Sequence, residues 1–301
     1  MTSFGPKSAP EGDPMTSRPP DDKRPAVPAW LMRLNGRILF GGALVLLVVI
    51  IAVAAPLLAT HDPLRVRMSG RLLPPGAEHW LGTDNNGRDI YSRILYGARV
   101  SVLVGGAVVV LSTLIGAFIG LVSGYFRRLD GVFMRFMDAL MTFPSILLAI
   151  AIVAALGAST QNVVIALTIS FIPHTARVVR GKVLSVREET YVESARAVGL
   201  GDWLIIRRYI LPNVMAPLMV QATFILALAI IAEAGLSYVG AGTPPPQPSW
   251  GNILADGRSY LHNAWWMTTF PGLFIMVSVL GLNIMGDGLR DMLDPRMEAG
   301  Q

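Results

Sequence analysis

The sequence predicts an all-α, polytopic membrane protein with about six transmembrane helices. Three observations carry this. Of 301 residues, 52% are hydrophobic and only 15% charged, with a mean hydropathy of +0.52, whereas about a quarter of an ordinary soluble domain is charged. Several uncharged runs reach the roughly 20 helical residues needed to cross about 30 Å of hydrocarbon. The Lys and Arg residues lie beside those runs, where they set orientation, so the net charge of +5 speaks for membrane placement and against nucleic acid. With no cysteine, disulfides, thiolate metal sites and thiol nucleophiles are excluded.

The elements follow in order. Residues 1–37 are rich in proline, from Pro6 to Pro28, and lack an apolar stripe, which predicts a disordered tail. The apolar run after it begins too late and is too long for a cleaved signal peptide. That run, residues 38–59, is the first span. Residues 60–99 form a loop, which ends in WLGTDNNGRDIYSRILYGARVSV. There Asp89 suits a helix cap, and Ile90, Ile94 and Leu95 share a face from which Arg93 is absent. The pattern predicts a short amphipathic helix, either lying on the membrane surface with its arginines at headgroups or docking inside a complex.

Val100 to Phe126 is the second span. Its Gly116 and Gly120 form a small-xxx-small pair suited to close helix approach, within the bundle or in a dimer. Ala139 to Ala176 carries no formal charge with His174 neutral. It suits a hairpin of the third and fourth spans around the polar turn Gly157 to Asn162. Val214 to Val239 is the fifth span, and Trp265 to Met285 the sixth, opening on an interfacial tryptophan pair. Residues 291–301 are a second tail.

Six spans leave both termini on one side. That side holds 18 of the 25 Lys and Arg residues: 6 in the tail, 3 in Arg127 to Arg135, 7 in Arg177 to Arg208 and 2 near the C-terminus. The termini are therefore expected in the cytoplasm, although six of the other seven basic residues crowd the loop between the first two spans.

Between the fourth and fifth spans lies ESARAVGLGDWLIIRRYILPN. Residues 189–198 read as a helix ended at Gly199, a residue at ease in the left-handed conformation of a helix terminus. Asp202 suits the cap of a second helix through Ile210, and Pro212 marks the start of the next span. Such an element is a bland surface loop or a knob for a soluble partner's groove.

The spacing of Glu193, Ser194, Ala195, Gly199, Tyr209, Leu211 and Pro212 resembles the EAA motif of permease subunits of binding-protein-dependent ABC importers. Ser194 stands for the usual alanine and Tyr209 for a common isoleucine. LGTDNNGRDIYSRILYGARVSV, EETYVESARAVGL, YILPNVMAPLMVQATF, AEAGLSYVGAG, PPPQPSWGNILADGR and GDGLRDMLDPRM resemble the C-type permease of dipeptide and oligopeptide importers. The resemblance spans Leu81 to Met297.

It implies a type I importer permease fold in the inner (plasma) membrane. Residues 100–290 would be the core domain, and residues 185–212 a coupling loop in which Glu193, Ser194, Ala195, Gly199, Leu211 and Pro212 engage an ATPase. It also implies a second, paralogous permease, two ATPase subunits that bind ATP and Mg²⁺, an extracellular substrate-binding protein, and a peptide substrate, with nickel or another solute as the alternative. This chain has no Gly-x-x-x-x-Gly-Lys-[Ser/Thr] loop, and no cofactor or catalytic group is expected in it.

Glu233 within the fifth span must face protein or water, because exposing a carboxylate to lipid costs about 2.5 to 3.5 kcal/mol. A bundle hydrogen bond is preferred over a pathway-lining role. His174 reads as an interfacial residue, and no metal ligand set is expected. A secondary transporter would want coupling-ion residues and an internal repeat, and a membrane enzyme a gathered nucleophile and base. Neither pattern is visible.

Overall fold

The computed structural model describes residues 36–293; the two expected tails lie almost wholly outside them. Nine helices carry the described chain: α1 Gly36–Leu58, α2 Ile90–Tyr125, α3 Arg127–Met141, α4 Ser145–Leu156, α5 Thr160–Arg187, α6 Thr190–Ala197, α7 Asp202–Tyr238, α8 Trp250–Gly257 and α9 Trp266–Leu293. Five of them (α1, α2, α5, α7 and α9) are long and apolar enough to cross a membrane, and the bent pair α3 and α4 makes six if counted as one span.

α2 is the largest departure from expectation. The amphipathic helix and the second span are a single 36-residue helix, roughly 54 Å long at 1.5 Å per residue. Gly97 does not break it, because that glycine is where Trp250 packs, 3.1 Å from the position of an added Cβ. The cap was legible: Asp89 accepts from the Ser92 N–H at 2.8 Å.

Two of the six arginines of this region are turned inward, away from any headgroup. Arg93 and Arg88 are buried on Asp84, with Arg88 Nε donating at 2.6 Å, and both reach Asp256 of α8, at 3.2 and 3.1 Å. Acids inside the fold thereby answer two of this loop's six basic residues; Arg65, Arg67, Arg71 and Arg99 are exposed.

The third span also differs. α3 and α4 meet at 89°, because Pro144 disfavours helical backbone at Phe143. α4 has 12 residues, roughly 18 Å, too short to cross alone. The α4 to α5 hairpin forms as expected: Gly157 has φ +91°, the Ser159 hydroxyl accepts from the Asn162 N–H, and the Asn162 amide donates to the carbonyls of Leu156 and Gly157.

Close approach is made by glycines, and both glycines of the small-xxx-small pair are used within the chain. An added Cβ at Gly116 would lie 2.6 Å from Thr175, one at Gly120 2.5 Å from the Ala176 carbonyl, and one at Gly124 2.7 Å from Val183. α2 thus packs along α5 through three turns, and these glycines are not available to a partner helix. Gly41 of α1 makes the same kind of contact with the backbone of Met285 in α9.

The core is layered along the bundle. At the end carrying α8, Ile90, Ile94, Trp250, Ile253, Trp266 and Met267 form one buried cluster. At the end carrying α6, Val179, Val183, Val186, Val192, Ile205, Ile210 and Val214 form another.

Candidate functional site

The motif segment sits at the α6 end, braced against the helices that cross the membrane. α6 turns Val192 and Ala195 inward, at 0% and 6% exposure, onto the valines of α5 and the start of α7. Glu193, Ser194, Arg196 and Gly199 face outward. The Ser194 hydroxyl donates to the Thr190 carbonyl of its own helix at 2.8 Å. The six proposed coupling residues therefore divide: Ala195 supports the helix from beneath, Glu193 and Ser194 are on the surface, and Gly199 makes the turn. Leu211 and Pro212 lie two to three helical turns further on, in α7.

Gly199 has φ +83°, and the Leu200 N–H bonds back to the Ala195 carbonyl at 3.1 Å, the closing bond of a Schellman turn. Asp202 does not cap the next helix. It is the first helical residue, and its carboxylate accepts instead from the Tyr125 hydroxyl at 2.6 Å. The guanidinium of Arg196 stacks 5.2 Å over the Tyr125 ring. Arg187, itself buried, donates to the carbonyls of Gly124 and Tyr125 at 3.0 and 3.2 Å. Tyr125 at the end of α2 is thus the post on which the segment is fixed, a role that reading α6 alone does not reveal.

The second helix is continuous with the fifth span: α7 runs 37 residues, with a π-helical turn at Ile206–Ile210. Around its start three apolar side chains stand free of the rest of the chain: Val198 at 82%, Trp203 at 73% and Leu204 at 42% exposure. Exposed to this degree, Val198 and Trp203 contribute little to the packing of this chain, and exposed apolar side chains of this kind are found at interaction surfaces. Trp203 was readable in the sequence only as an odd aromatic in a charged stretch.

Two ion pairs tie α3 to α5 nearby. Arg180 holds Asp130 through two bonds of 2.5 and 2.6 Å, and Arg177 holds Asp138 at 2.6 Å. Between α5 and α7 lie two open clefts of about 640 and 670 Å³ that share Val178, Lys182 and Gln221. His174 lines one of them, its Nε2 3.4 Å from the Ser145 hydroxyl.

Glu233 lies some 30 residues up α7, fully buried. Its carboxyl takes hydrogen bonds from Ser237 at 2.7 Å and Ser101 at 3.2 Å, with Ser249 as a third hydroxyl contact. It knits α2, α7 and the start of α8.

Residues 95–299 match the family model described as the binding-protein-dependent transport system inner membrane component. The chain belongs to this family. It is a multi-pass permease subunit of a binding-protein-dependent ABC importer.

The relatives of the permease are named for peptide transport. A Brucella suis protein, provisionally named a peptide transport system permease protein, is 53% identical over 258 residues, 86% of this chain and 87% of its own. The dipeptide transport system permease protein of Alkalihalophilus pseudofirmus is 44% identical over 289 residues, 94% and 95% of the two chains. The permease is also similar in fold to a solved chain of the inward-facing MetNI methionine ABC transporter, with a TM-score of 0.59 at 19% identity, covering 68% of this chain and 98% of that one. Its architecture is accordingly that of a type I importer permease.

Proposed function

We propose that the permease forms half of a translocation pathway for di- and oligopeptides, completed by a second, paralogous permease in a pseudo-symmetric heterodimer. Two ATPase subunits, which bind ATP and Mg²⁺ and hydrolyse the nucleotide, dock one on each permease. An extracellular substrate-binding protein delivers the peptide. The chain itself is not catalytic, and both termini and the α6 segment face the cytoplasm.

The peptide assignment is supported by the names of the relatives. The coupling assignment is supported by one observation above the rest: Val198 and Trp203 are exposed at the tip of a segment otherwise pinned by Tyr125, Arg187 and Asp202. Glu193 and Gly199 border that tip. Leu211 and Pro212 belong to the rod behind it, where a push on the tip is carried along α7 for roughly 45 Å to Glu233, at 1.5 Å per residue. The clefts between α5 and α7 would open toward the second permease. Di- and oligopeptides vary in side chain, so few fixed contacts are needed along such a wall.

The test is reconstitution in liposomes with purified ATPases and binding protein, with and without the second permease. Peptide uptake that needs all components is expected, and full uptake without the second permease overturns the heterodimer. Orientation is tested separately with single cysteines at the exposed positions 194 and 259 in this cysteine-free chain. An impermeant maleimide applied to intact cells should label position 259 and spare 194, and the reverse pattern overturns the topology.

A further inference from the structure

The loop between α1 and α2 brings together three residues that the function above does not use. His61 follows the end of α1, and Glu78 and His79 come 17 and 18 positions later. One ring nitrogen of each histidine and a Glu78 carboxylate oxygen lie within 4.8 Å of one another. The two imidazole rings are 4.7 Å apart, tilted by 38°. A cleft of about 200 Å³ opens beside the two histidines, lined also by Thr60, Asp62, Arg65, Arg67 and Asp89, with Glu78 outside it.

The surroundings are those of a ligand set. A metal-bound histidine characteristically gives its other ring nitrogen to a carboxylate or another oxygen, which fixes the ring and its tautomer. Here His79 Nδ1 is 2.9 Å from Asp89 Oδ1, and His61 Nδ1 is 3.0 Å from the Thr60 hydroxyl. Asp89 is itself held, since its other oxygen accepts from the Ser92 N–H at 2.8 Å. The Ser92 hydroxyl in turn accepts from the backbone N–H of His61 at 3.1 Å. Both Nδ1 atoms face oxygens in this way, and His61 Nδ1 also lies 3.9 Å from Asp89 Oδ1, so Nε2 is the nitrogen that each ring would offer to a metal.

We propose that His61, His79 and Glu78 bind a divalent transition-metal cation, with Asp89 as the outer support of His79. Two imidazoles and one carboxylate form a donor set of the borderline kind that zinc takes, with a fourth position for water. Zn–N bonds of about 2.0 to 2.1 Å put tetrahedral ligand atoms roughly 3.3 Å apart, so the cluster must tighten slightly. Glu78 has the freedom to do so, with its side chain 70% exposed. One cation competes for it: Arg67 Nη1 lies 3.4 Å from Glu78 Oε1. Bound metal would pin the loop to the end of α1 and the start of α2.

The test uses the full-length permease without a polyhistidine tag, stripped with chelator, and Zn²⁺ as the probe in competition with a chromophoric chelator. One zinc per chain is expected. The exposed Glu78→Gln change and His61→Ala should each weaken binding at least about tenfold, the scale even of outer-shell losses, while His262→Ala leaves it unchanged. Zinc should also raise the thermal midpoint of the wild type but not of His61→Ala. A wild type that takes up no stoichiometric zinc, or equal affinity in His61→Ala or Glu78→Gln, overturns the proposal.

Discussion

The two ends of the bundle spend their polar and apolar side chains in opposite ways. At the α8 end the charges are inside: Asp84 is fully buried with Arg88 and Arg93 upon it, and Trp250 is fully buried with its indole N–H on the Ile94 carbonyl at 3.1 Å. At the α6 end the charges are mostly outside and the large apolar side chains are exposed, with Trp203 at 73%. The α8 end also exposes Trp80 and Trp265, at 56% and 51%, but it buries Trp250 and Trp266, whereas Trp203 at the α6 end is exposed. The α8 end is braced by a buried ion-pair cluster, while the α6 end is fixed at its root and exposed at its tip. That asymmetry is what a subunit needs if one end must keep its shape and the other must receive a push.

The comparison can be broken most sharply at the turn. A residue with a side chain pays roughly 1 to 2 kcal/mol for the left-handed backbone of Gly199, and a β-branched one more. Among the described residues nothing lies within 4 Å of an added Cβ, so the damage falls on the direction of the tip. Gly199→Val is expected to reach the membrane yet abolish uptake by the reconstituted importer. Ser194→Ala should be nearly silent, because that hydroxyl bonds only to its own helix. Undiminished uptake in Gly199→Val would make α6 a surface loop.

The closed end should fail in a different currency, stability. Asp84→Ala leaves two buried guanidinium groups to share the partly exposed Asp256, and removing one partner of a buried pair costs up to about 3 to 5 kcal/mol. A clear fall in the thermal unfolding midpoint in detergent is expected. An unchanged midpoint would mean that the arginines find water or lipid headgroups after all.

Trp203→Ala sharpens the contrast, since the buried Trp250 of the α8 end would behave oppositely. Stability should move by less than about 0.5 kcal/mol, as for most surface changes. Affinity for the ATPase subunit should fall by about 2 kcal/mol, roughly thirtyfold, the scale of an interface anchor. Calorimetry or co-purification at graded concentration reads the loss, and equal affinity would remove Trp203 from the interface.

The smallest effect is expected between the two ends. Asp138 and Arg177 are 61% and 54% exposed, and exposed pairs contribute about 0 to 1 kcal/mol. Asp138→Asn should therefore leave the midpoint almost where it was, in contrast to Asp84→Ala.

Much of this architecture is written locally. Uncharged runs located α1, α2, α5, α7 and α9 to within a few residues at most ends, because a membrane-spanning helix must satisfy its own backbone and cover it with apolar side chains. The Asp89 cap, the Gly157 hairpin and the Gly199 turn were legible for the same reason: each is settled by bonds to residues no more than about six positions away. Pro144 lay inside the run read as the third span, and the right-angle bend between α3 and α4 that it accompanies was not foreseen, since a proline limits the backbone without choosing its direction.

What the sequence alone determined is the class of the protein, the order of its spans and the local chemistry of its caps and turns. Only the tertiary structure decided what each isolated charge and small residue meets. Arg93 looked like a headgroup contact until Asp256, 163 residues away, came within reach. Gly116 and Gly120 could have served a dimer until α5 filled them. His61 and His79 were two unrelated histidines until the loop closed. The physical reason is common to all three: burial and pairing are properties of a position in space, and in a helical membrane bundle the neighbour that decides them is usually on another span.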